Sequence, residues 1–316
     1  MQHINILKGG LSIISQCKKE TEDIWHAHFG AAAIASYFFT KGNNLDENTV
    51  LSIHSQTKMM LNKHMLGETK DIIHGIDFQK AEEIIITSLE KTIDELHWVG
   101  HNVIYASLSL LAIYELRNWG TKQDIEDIAD LILSFEKAIP GRSWIGFSTR
   151  EVKQLDMSDN EMVTFIKTPE QLSKFILEEL SRFHVIYRAE AHHDLIGHML
   201  TFSHAVNILY DLGHVNLFKR SLTPLLKLVH VLKDSQNFII CDTLKLSSPV
   251  DRLPLIKAQR AKVLPIENAF WLKNHSELNW DFGHQFKFSY SYFDHVKRAP
   301  EYKDETLEKF RDIINY

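Results

Sequence analysis

The sequence predicts an all-α protein, and three observations support this. Apolar residues recur with a helical period through most of the chain. Proline is absent before Pro140, so the first half can form long uninterrupted helices. Only Asn237–Leu246 has the composition of a β-strand, and the sequence shows no evident partner strand for it. We therefore expect one large helical bundle or array around a central cavity.

The periodic segments place the individual helices. The predicted helices are Glu22–Thr40, Asp46–His64, Phe78–Leu96, His97–Asn118, Lys122–Ala138, Pro169–Tyr187, Ala191–Leu212, Asn216–Leu232 and, near the end, Asp304–Ile314. Gly42, Gly120 and Gly213 follow three of these runs and predict left-handed C-caps. Thr168 and Pro169 form a helix start, with Thr168 as the N-cap and Pro169 in the first position.

Length and composition predict one globular domain over residues 1–316. The chain is 44% hydrophobic and 24% charged, which is typical of globular proteins and not of disordered ones. Pro140–Asp159 is rich in loop-forming residues and is either a surface excursion or a domain seam. The two cysteines, Cys17 and Cys241, are too few for a disulfide framework or a cysteine-built zinc site.

Charge and hydropathy exclude two classes of partner. The net charge is −6 and the basic residues are scattered, so the footprint of a nucleic-acid-binding protein is missing. Met1–Glu20 has no clear secretory signal. The most apolar segments, Trp25–Phe39 and Val99–Leu116, are shorter than a bilayer span and contain histidines. We expect a cytoplasmic protein without a membrane partner, and its oligomeric state stays open.

Histidine is the residue type that stands out. The sequence has no glycine-rich dinucleotide motif, no P-loop, no G-x-S-x-G and no H-E-x-x-H, so neither flavin nor nicotinamide binding is indicated. It has 18 histidines, and imidazole is the commonest metal ligand in proteins. Cys241 lacks an evident neighbouring base, which argues against a cysteine nucleophile.

Three predicted helical stretches open with a histidine followed by small and apolar residues. These histidines are His28, His101 and His198. If the three helices lie side by side, their histidines reach one level and can share a metal ion. The alternative is that the small residues only form helix-packing faces and the histidines are hydrogen-bonded core residues.

Histidine spacing suggests further metal ligands. His97 and His101 are four residues apart, as are Asp194 and His198, so each pair would share a helix face. His198 and His204 are six apart, about 240° around a helix, and we do not expect them to bind the same ion.

Four short stretches carry a resemblance to a known family. They are Trp25–Ala31, His101–Ala106, His198–Ala205 and Asp294–Lys297. Together they resemble the questin oxidase-like family of helical oxygenases associated with aromatic polyketides. The third stretch, with H-x-L-T followed by His-Ala, is the most specific of the four. The fourth resembles the family's late His-Val-x-Lys segment, but with a spacing one residue short.

The resemblance implies a non-haem metal, iron, held by histidines from separate helices. On this interpretation the ligands are His28, His101, His198 and His295. His204 and Asp194 are assigned to the catalytic environment, beside the substrate or orienting the ligands. The family's carbamylated lysine would correspond to Lys297, and the short spacing leaves that role open.

The sequence thus predicts a non-haem iron oxygenase that uses dioxygen and an aromatic or quinone-like small molecule. Aromatic residues on the histidine-bearing helices suit a flat apolar substrate. One alternative is a metal-dependent hydrolase of the HD type, centred on His192, His193 and Asp194. The other is a non-catalytic helical binding or scaffold protein whose histidines satisfy buried hydrogen bonds.

Overall fold

The computed structural model describes residues 3–67, 75–237, 245–275 and 281–314. In these ranges the chain forms fourteen α-helices and two short strands, which confirms the all-α prediction. The elements are α1 (Ile4–Thr21), α2 (Ala27–Gly42), α3 (Glu47–His64), α4 (Phe78–Leu89), α5 (His101–Leu116), α6 (Lys122–Leu133), β1 (Trp144–Ile145), α7 (Thr149–Gln154), α8 (Glu161–Phe165), α9 (Pro169–Ser181), α10 (Leu195–Asp211), α11 (Val215–Lys233), β2 (Leu246–Ser247), α12 (Asn268–Trp271), α13 (Asp281–Arg298) and α14 (Lys303–Ile313).

The chain divides into two compact units that alternate along the sequence. Unit 1 takes the described residues of Met1–Thr92, Ile104–Glu136 and Val263–Tyr290, and unit 2 takes those of Ile93–Val103, Lys137–Lys262 and Ser291–Tyr316. The candidate seam at Pro140–Asp159 lies wholly within unit 2. The single domain over residues 1–316 stays a prediction.

Unit 1 is built around the packing of α1 against α2, with α3 and α6 also contacting α1. The two backbones meet at a pair of glycines. A Cβ atom on Gly10 would lie 2.8 Å from the carbonyl oxygen of Gly30, so a larger residue at either position would push the helices apart. This close approach fixes the first turn of α2, which carries His28 two residues before Gly30.

Unit 2 is built around α10, which packs against α9 and α11. Every residue of α10 from Leu195 to Leu209 is buried. The predicted start of α9 is confirmed, since the Thr168 side chain accepts a hydrogen bond from the Gln171 backbone N–H and Pro169 opens the helix. Strands β1 and β2 pair antiparallel, with Trp144 opposite Ser247.

Several predicted boundaries differ from the structure. Helix α2 begins at Ala27 rather than Glu22, because Glu22 takes a left-handed conformation that ends α1. Left-handed conformations are confirmed at Gly120 and Gly213, whereas Gly42 is the last residue of α2 and does not adopt one. Helices α1 and α13 were not predicted at all.

Some sequence predictions fall on positions that the structure does not describe. Cys241, and with it most of the predicted strand Asn237–Leu246, lies in residues 238–244, outside the described ranges. Only its last residue is seen in a strand, β2, which is paired with β1. Among the described residues, each helix is either too short or too polar to cross a lipid bilayer.

Helix α5 is preceded by an unusual left-handed turn. Trp98, Val99 and Gly100 have φ values of 41°, 52° and 94°. The backbone N–H groups of Trp98 and Val99 donate to the carbonyl oxygens of residues 139 and 140, each at 2.8 Å. The helix therefore starts at His101, four residues later than predicted.

Gly100 is the tightest point of this turn. A Cβ atom there would overlap the ring of Phe202 on α10, and the positive φ would strain any other residue. The backbone thus lies directly against an aromatic ring of α10. This contact sets where α5 begins and where its first residue, His101, is placed.

Replacing Gly100 by alanine should lower the free energy of unfolding by about 3 kcal/mol, since overpacking adds to backbone strain. The matched control is Gly213→Ala. Its φ is 93°, but no atom lies within 4 Å of the position that a Cβ atom would take, so strain alone should cost about 1 kcal/mol. Urea titration of both variants measures the difference, and equal losses would contradict the contact with Phe202.

Candidate functional site

The centre of the candidate site is a carboxylate and an imidazole from one stretch of unit 2. Glu190–Asp194 forms a π-helical turn that leads directly into α10. His198 Nε2 lies 3.6 Å from Asp194 Oδ2, and both side chains are buried. The prediction that these two residues share a helix face is therefore confirmed. Such wide turns are often found at functional sites.

His101 adds a second imidazole to this pair. Its ring centroid lies 4.8 Å from that of His198. His101 Nδ1 contacts the carbonyl oxygen of Trp98, and a carbonyl can only accept, so Nδ1 carries the proton. In the neutral imidazole the lone pair is then on Nε2, which is the form that binds metals.

The predicted pairing of His97 with His101 is wrong. His97 precedes the left-handed turn in an extended conformation, with φ of −115° and ψ of 117°. It is not on α5, so the helical spacing that would place the two rings on one face does not apply. Its Nδ1 instead lies 3.3 Å from the carbonyl oxygen of Ala138.

A third potential ligand comes from α13. Asp194, His198 and His284 each offer one ligand atom, these atoms lie within 4.8 Å of one another, and all three residues are buried. Two imidazoles and one carboxylate form the donor set of many non-haem Fe(II) sites. The group could therefore hold a metal ion.

His28 and Lys287 lie beside His284 within unit 1. The ring centroids of His28 and His284 are 5.1 Å apart. Lys287 Nζ forms a hydrogen bond with His28 Nδ1, and the lysine is only 2% exposed. Burying an ammonium group is costly unless it is compensated, and the hydrogen bond to His28 is part of that compensation.

His284 and Lys287 were missed by sequence reasoning, although a signal for them exists. The family segment His-Val-x-Lys places its lysine three residues after its histidine. His295 and Lys297 are only two apart, whereas His284 and Lys287 have the full spacing. The spacing alone would have favoured His284-Gln285-Phe286-Lys287 over the stretch that contains the conspicuous His-Val pair.

His295 is placed differently from the other predicted ligands. Its Nε2 lies 3.0 Å from the Leu200 carbonyl oxygen and its Nδ1 lies 2.9 Å from the Ser173 hydroxyl. Since the carbonyl accepts from Nε2–H, Nδ1 must accept from the Ser173 hydroxyl. Burial lowers the pKa of His295 to about 3, so the ring is neutral. Both of its nitrogens are thus engaged by hydrogen bonds, and His295 is not part of the three-residue group.

His204 lies in a separate polar cluster of unit 2. Its Nδ1 is 3.0 Å from the Ser291 hydroxyl, and its Nε2 is 3.5 Å from Asp294 Oδ2. Asp294 also accepts from Arg298 at 2.7 Å. Burial lowers the pKa of His204 to about 4, so it too is neutral. His198 and His204 have different partners, as their spacing predicted.

The residues of the alternative hydrolase centre are held by backbone groups. The Tyr187 N–H donates to His192 Nδ1 at 3.0 Å. His193 Nδ1 lies 2.8 Å from the Ala189 carbonyl oxygen and 3.0 Å from the Ala189 backbone nitrogen. Burial lowers the pKa of His192 to about 3 and that of His193 to about 4. Of the proposed hydrolase residues His192, His193 and Asp194, Asp194 belongs to the buried group with His198 and His284, and the two histidines do not.

Compared with known proteins, the chain matches no protein family, no curated protein and no solved structure. The resemblance to questin oxidase-like proteins stays a prediction that depends on the four short stretches.

The buried neutral histidines predict acid lability. The pKa values of His204 and His295 are about 4 and about 3 in the folded state, against about 6.5 in an unfolded chain. The unfolded state therefore binds more protons below pH 6.5, and stability should fall from there toward pH 4. Urea unfolding at several pH values measures this. The free energy of unfolding of His204→Asn should fall less steeply with decreasing pH than that of the wild type. An equally steep loss in the two proteins would contradict the assignment.

Proposed function

We propose that the protein is a metal-dependent oxidoreductase that binds non-haem iron and acts on an aromatic or quinone-like small molecule with dioxygen. The observation that carries the proposal is the buried group of Asp194, His198 and His284. Its two imidazoles and one carboxylate leave several coordination positions of an octahedral ion for other ligands. The resemblance to questin oxidase-like proteins points to the same class of chemistry.

Two further histidines extend the donor set in this proposal. His101 lies beside His198, with its proton on Nδ1. His28 lies beside His284. They would complete the iron coordination or hydrogen-bond to a bound substrate. Iron held in this way would supply dioxygen activation, and the protein residues would hold the substrate and exclude water.

Aromatic side chains around His28 support a flat substrate. Trp25 stacks on the His28 ring with centroids 6.0 Å apart, and Tyr105 approaches it edge-on at 6.0 Å. The Tyr105 hydroxyl donates to the carbonyl oxygen of Ile24 at 3.2 Å, which fixes the orientation of its ring. Stacking and edge contacts of this kind are also those by which proteins hold planar aromatic molecules.

We assign the lysine of the family pattern to Lys287 rather than Lys297. Carbamylation joins the neutral amine nitrogen to the carbon of CO2 and releases one proton, and an ammonium group first loses a further proton to reach that neutral form. The product is a carbamate anion, which offers oxygen atoms as ligands. Lys287 is almost completely buried and contacts His28. Lys297 lies on the same helix, ten residues further along the chain.

Metal analysis of six variants tests the ligand assignment. His198→Ala and His284→Ala should lose nearly all bound iron, because each removes one of three clustered ligands. His295→Ala should keep it, because both nitrogens of His295 are engaged elsewhere. Lys287→Met should bind iron more weakly, whereas Lys297→Met should not. His230→Ala controls for the loss of any histidine, and iron loss in that variant would undermine the measurement.

Elemental analysis followed by oxygen uptake tests the function. Protein purified without an affinity tag should contain iron, or take it up as Fe²⁺ under anaerobic conditions. It should then consume oxygen with hydroquinones or anthraquinones, and His198→Ala should not. Manganese or zinc, with a phosphatase activity that survives loss of His28 and His101, would favour the HD-type hydrolase. No metal after reconstitution would favour a helical binding protein.

A further inference from the structure

A short stretch of unit 2 exposes three large apolar side chains. Val250, Leu253 and Ile256 are 53%, 39% and 75% exposed. Ile256 is the most exposed large apolar residue in the part of the chain that the structure describes. Single exposed apolar residues are normal on a protein surface, whereas several of them close together mark an interaction surface.

The backbone around Ile256 is held by a neighbouring extended segment. The Arg188 N–H donates to the Ile256 carbonyl oxygen at 2.8 Å, next to an antiparallel bridge formed by Tyr187. Leu255 is buried in an apolar cluster that also contains Tyr187. Because side chains alternate along an extended chain, the burial of Leu255 turns Ile256 outward. The exposure of Ile256 therefore follows from the packing of its own backbone.

Cations flank these apolar side chains. Arg188 lies opposite Ile256 in the antiparallel pairing, so the two side chains are on the same face. Arg252 precedes Leu253 and Lys257 follows Ile256 in the sequence, and all three cationic residues are exposed. None of the three is ion-paired with a carboxylate of the described residues, and Arg252 donates only to backbone carbonyls. Their charges are therefore available to an anionic partner.

The surrounding segment is basic although the protein as a whole is acidic. Residues 245–262 contain five basic residues and one acidic residue, whereas the chain has a net charge of −6. Two of the five, Lys245 and Arg260, are ion-paired with Glu151 and Asp312. Unpaired positive charge thus remains beside the exposed apolar side chains. We call the following six residues the basic apolar patch: Arg188, Val250, Arg252, Leu253, Ile256 and Lys257.

We propose that the basic apolar patch docks the protein on an anionic phospholipid membrane. The apolar side chains would enter the boundary between headgroups and acyl chains, and the cations would attract the anionic headgroups. Ile256 has three quarters of its surface exposed, so it protrudes from the protein. A fluid bilayer accommodates protruding side chains where they stand, whereas a protein partner needs a cavity that matches them.

This proposal departs from the expectation of a protein without a membrane partner. That expectation rested on the lack of an apolar segment long enough to span a bilayer. Peripheral binding needs no such segment. The proposal is also independent of the proposed metal site, because vesicle binding is measured without metal.

Co-sedimentation of the full-length protein with lipid vesicles tests the proposal. The protein should bind phosphatidylcholine vesicles that contain about 30% phosphatidylserine, should not bind phosphatidylcholine alone, and should bind less as salt is raised. Ile256→Ser should weaken partitioning about 10-fold, because it removes an apolar side chain from the lipid boundary. Arg188→Gln combined with Lys257→Gln should weaken it about 30-fold, because both cations attract the anionic surface.

Matched controls carry the same changes elsewhere in the molecule. Leu272 of unit 1 is 71% exposed. Lys8 on α1 and Lys58 on α3 are exposed and have no ion pair with a described residue. Leu272→Ser, and Lys8→Gln combined with Lys58→Gln, should bind anionic vesicles as the wild type does. All four variants change exposed side chains and should keep the Tm of the wild type.

Three results would overturn the proposal. The first is a wild type that does not bind anionic vesicles at low salt, and binding to polyglutamate in its place would indicate an acidic protein partner. The second is equal weakening in the patch and control variants, which would show a dependence on overall charge or apolar surface. The third is a wild-type dimer that Ile256→Ser dissociates, which would show that a second copy of the chain covers the patch.

Discussion

The structure depends on one constraint, which is that polar side chains placed inside apolar helices must find partners there. Helix α10 is buried from Leu195 to Leu209 and still carries His198, His204 and Asn207. A buried polar group without compensation costs roughly 1–3 kcal/mol. We therefore distinguish the histidines by the atoms that their two ring nitrogens contact.

Two irregular backbone segments deliver the proposed ligands of unit 2. The left-handed turn before α5 is held by the contact of Gly100 with Phe202, and it places His101 at a helix start. The π turn before α10 is held by Asp251, which accepts from the backbone N–H groups of Glu190 and Ala191, and it ends at Asp194, which lies one helical turn before His198. Neither conformation is favourable in an isolated chain, so surrounding contacts must maintain both. Strained segments at a candidate site are consistent with a functional requirement for their geometry.

The sequence was sufficient for the fold class, most helices and the pairing of Asp194 with His198. These features depend on local periodicity, which a sequence shows directly. Helix α13 was missed because polar residues such as His284, Gln285 and Lys287 occupy many of its buried positions, so the apolar period that makes a helix recognisable is interrupted. The left-handed turn at Trp98 and Val99 was missed because non-glycine residues rarely adopt it, and only contacts from elsewhere in the chain hold them there.

Helix geometry also explains why two pairs of histidines have different environments. His284 and His295 are eleven residues apart on α13, so they lie on nearly the same face but about 16 Å apart along the axis. A single ion cannot reach both. His198 and His204 are closer along α10 but point in different directions, about 240° apart. One histidine of each helix, His198 and His284, belongs to the group that could hold a metal. The other two, His204 and His295, are neutral and bound to hydroxyl and carbonyl groups, so their burial is compensated without a metal.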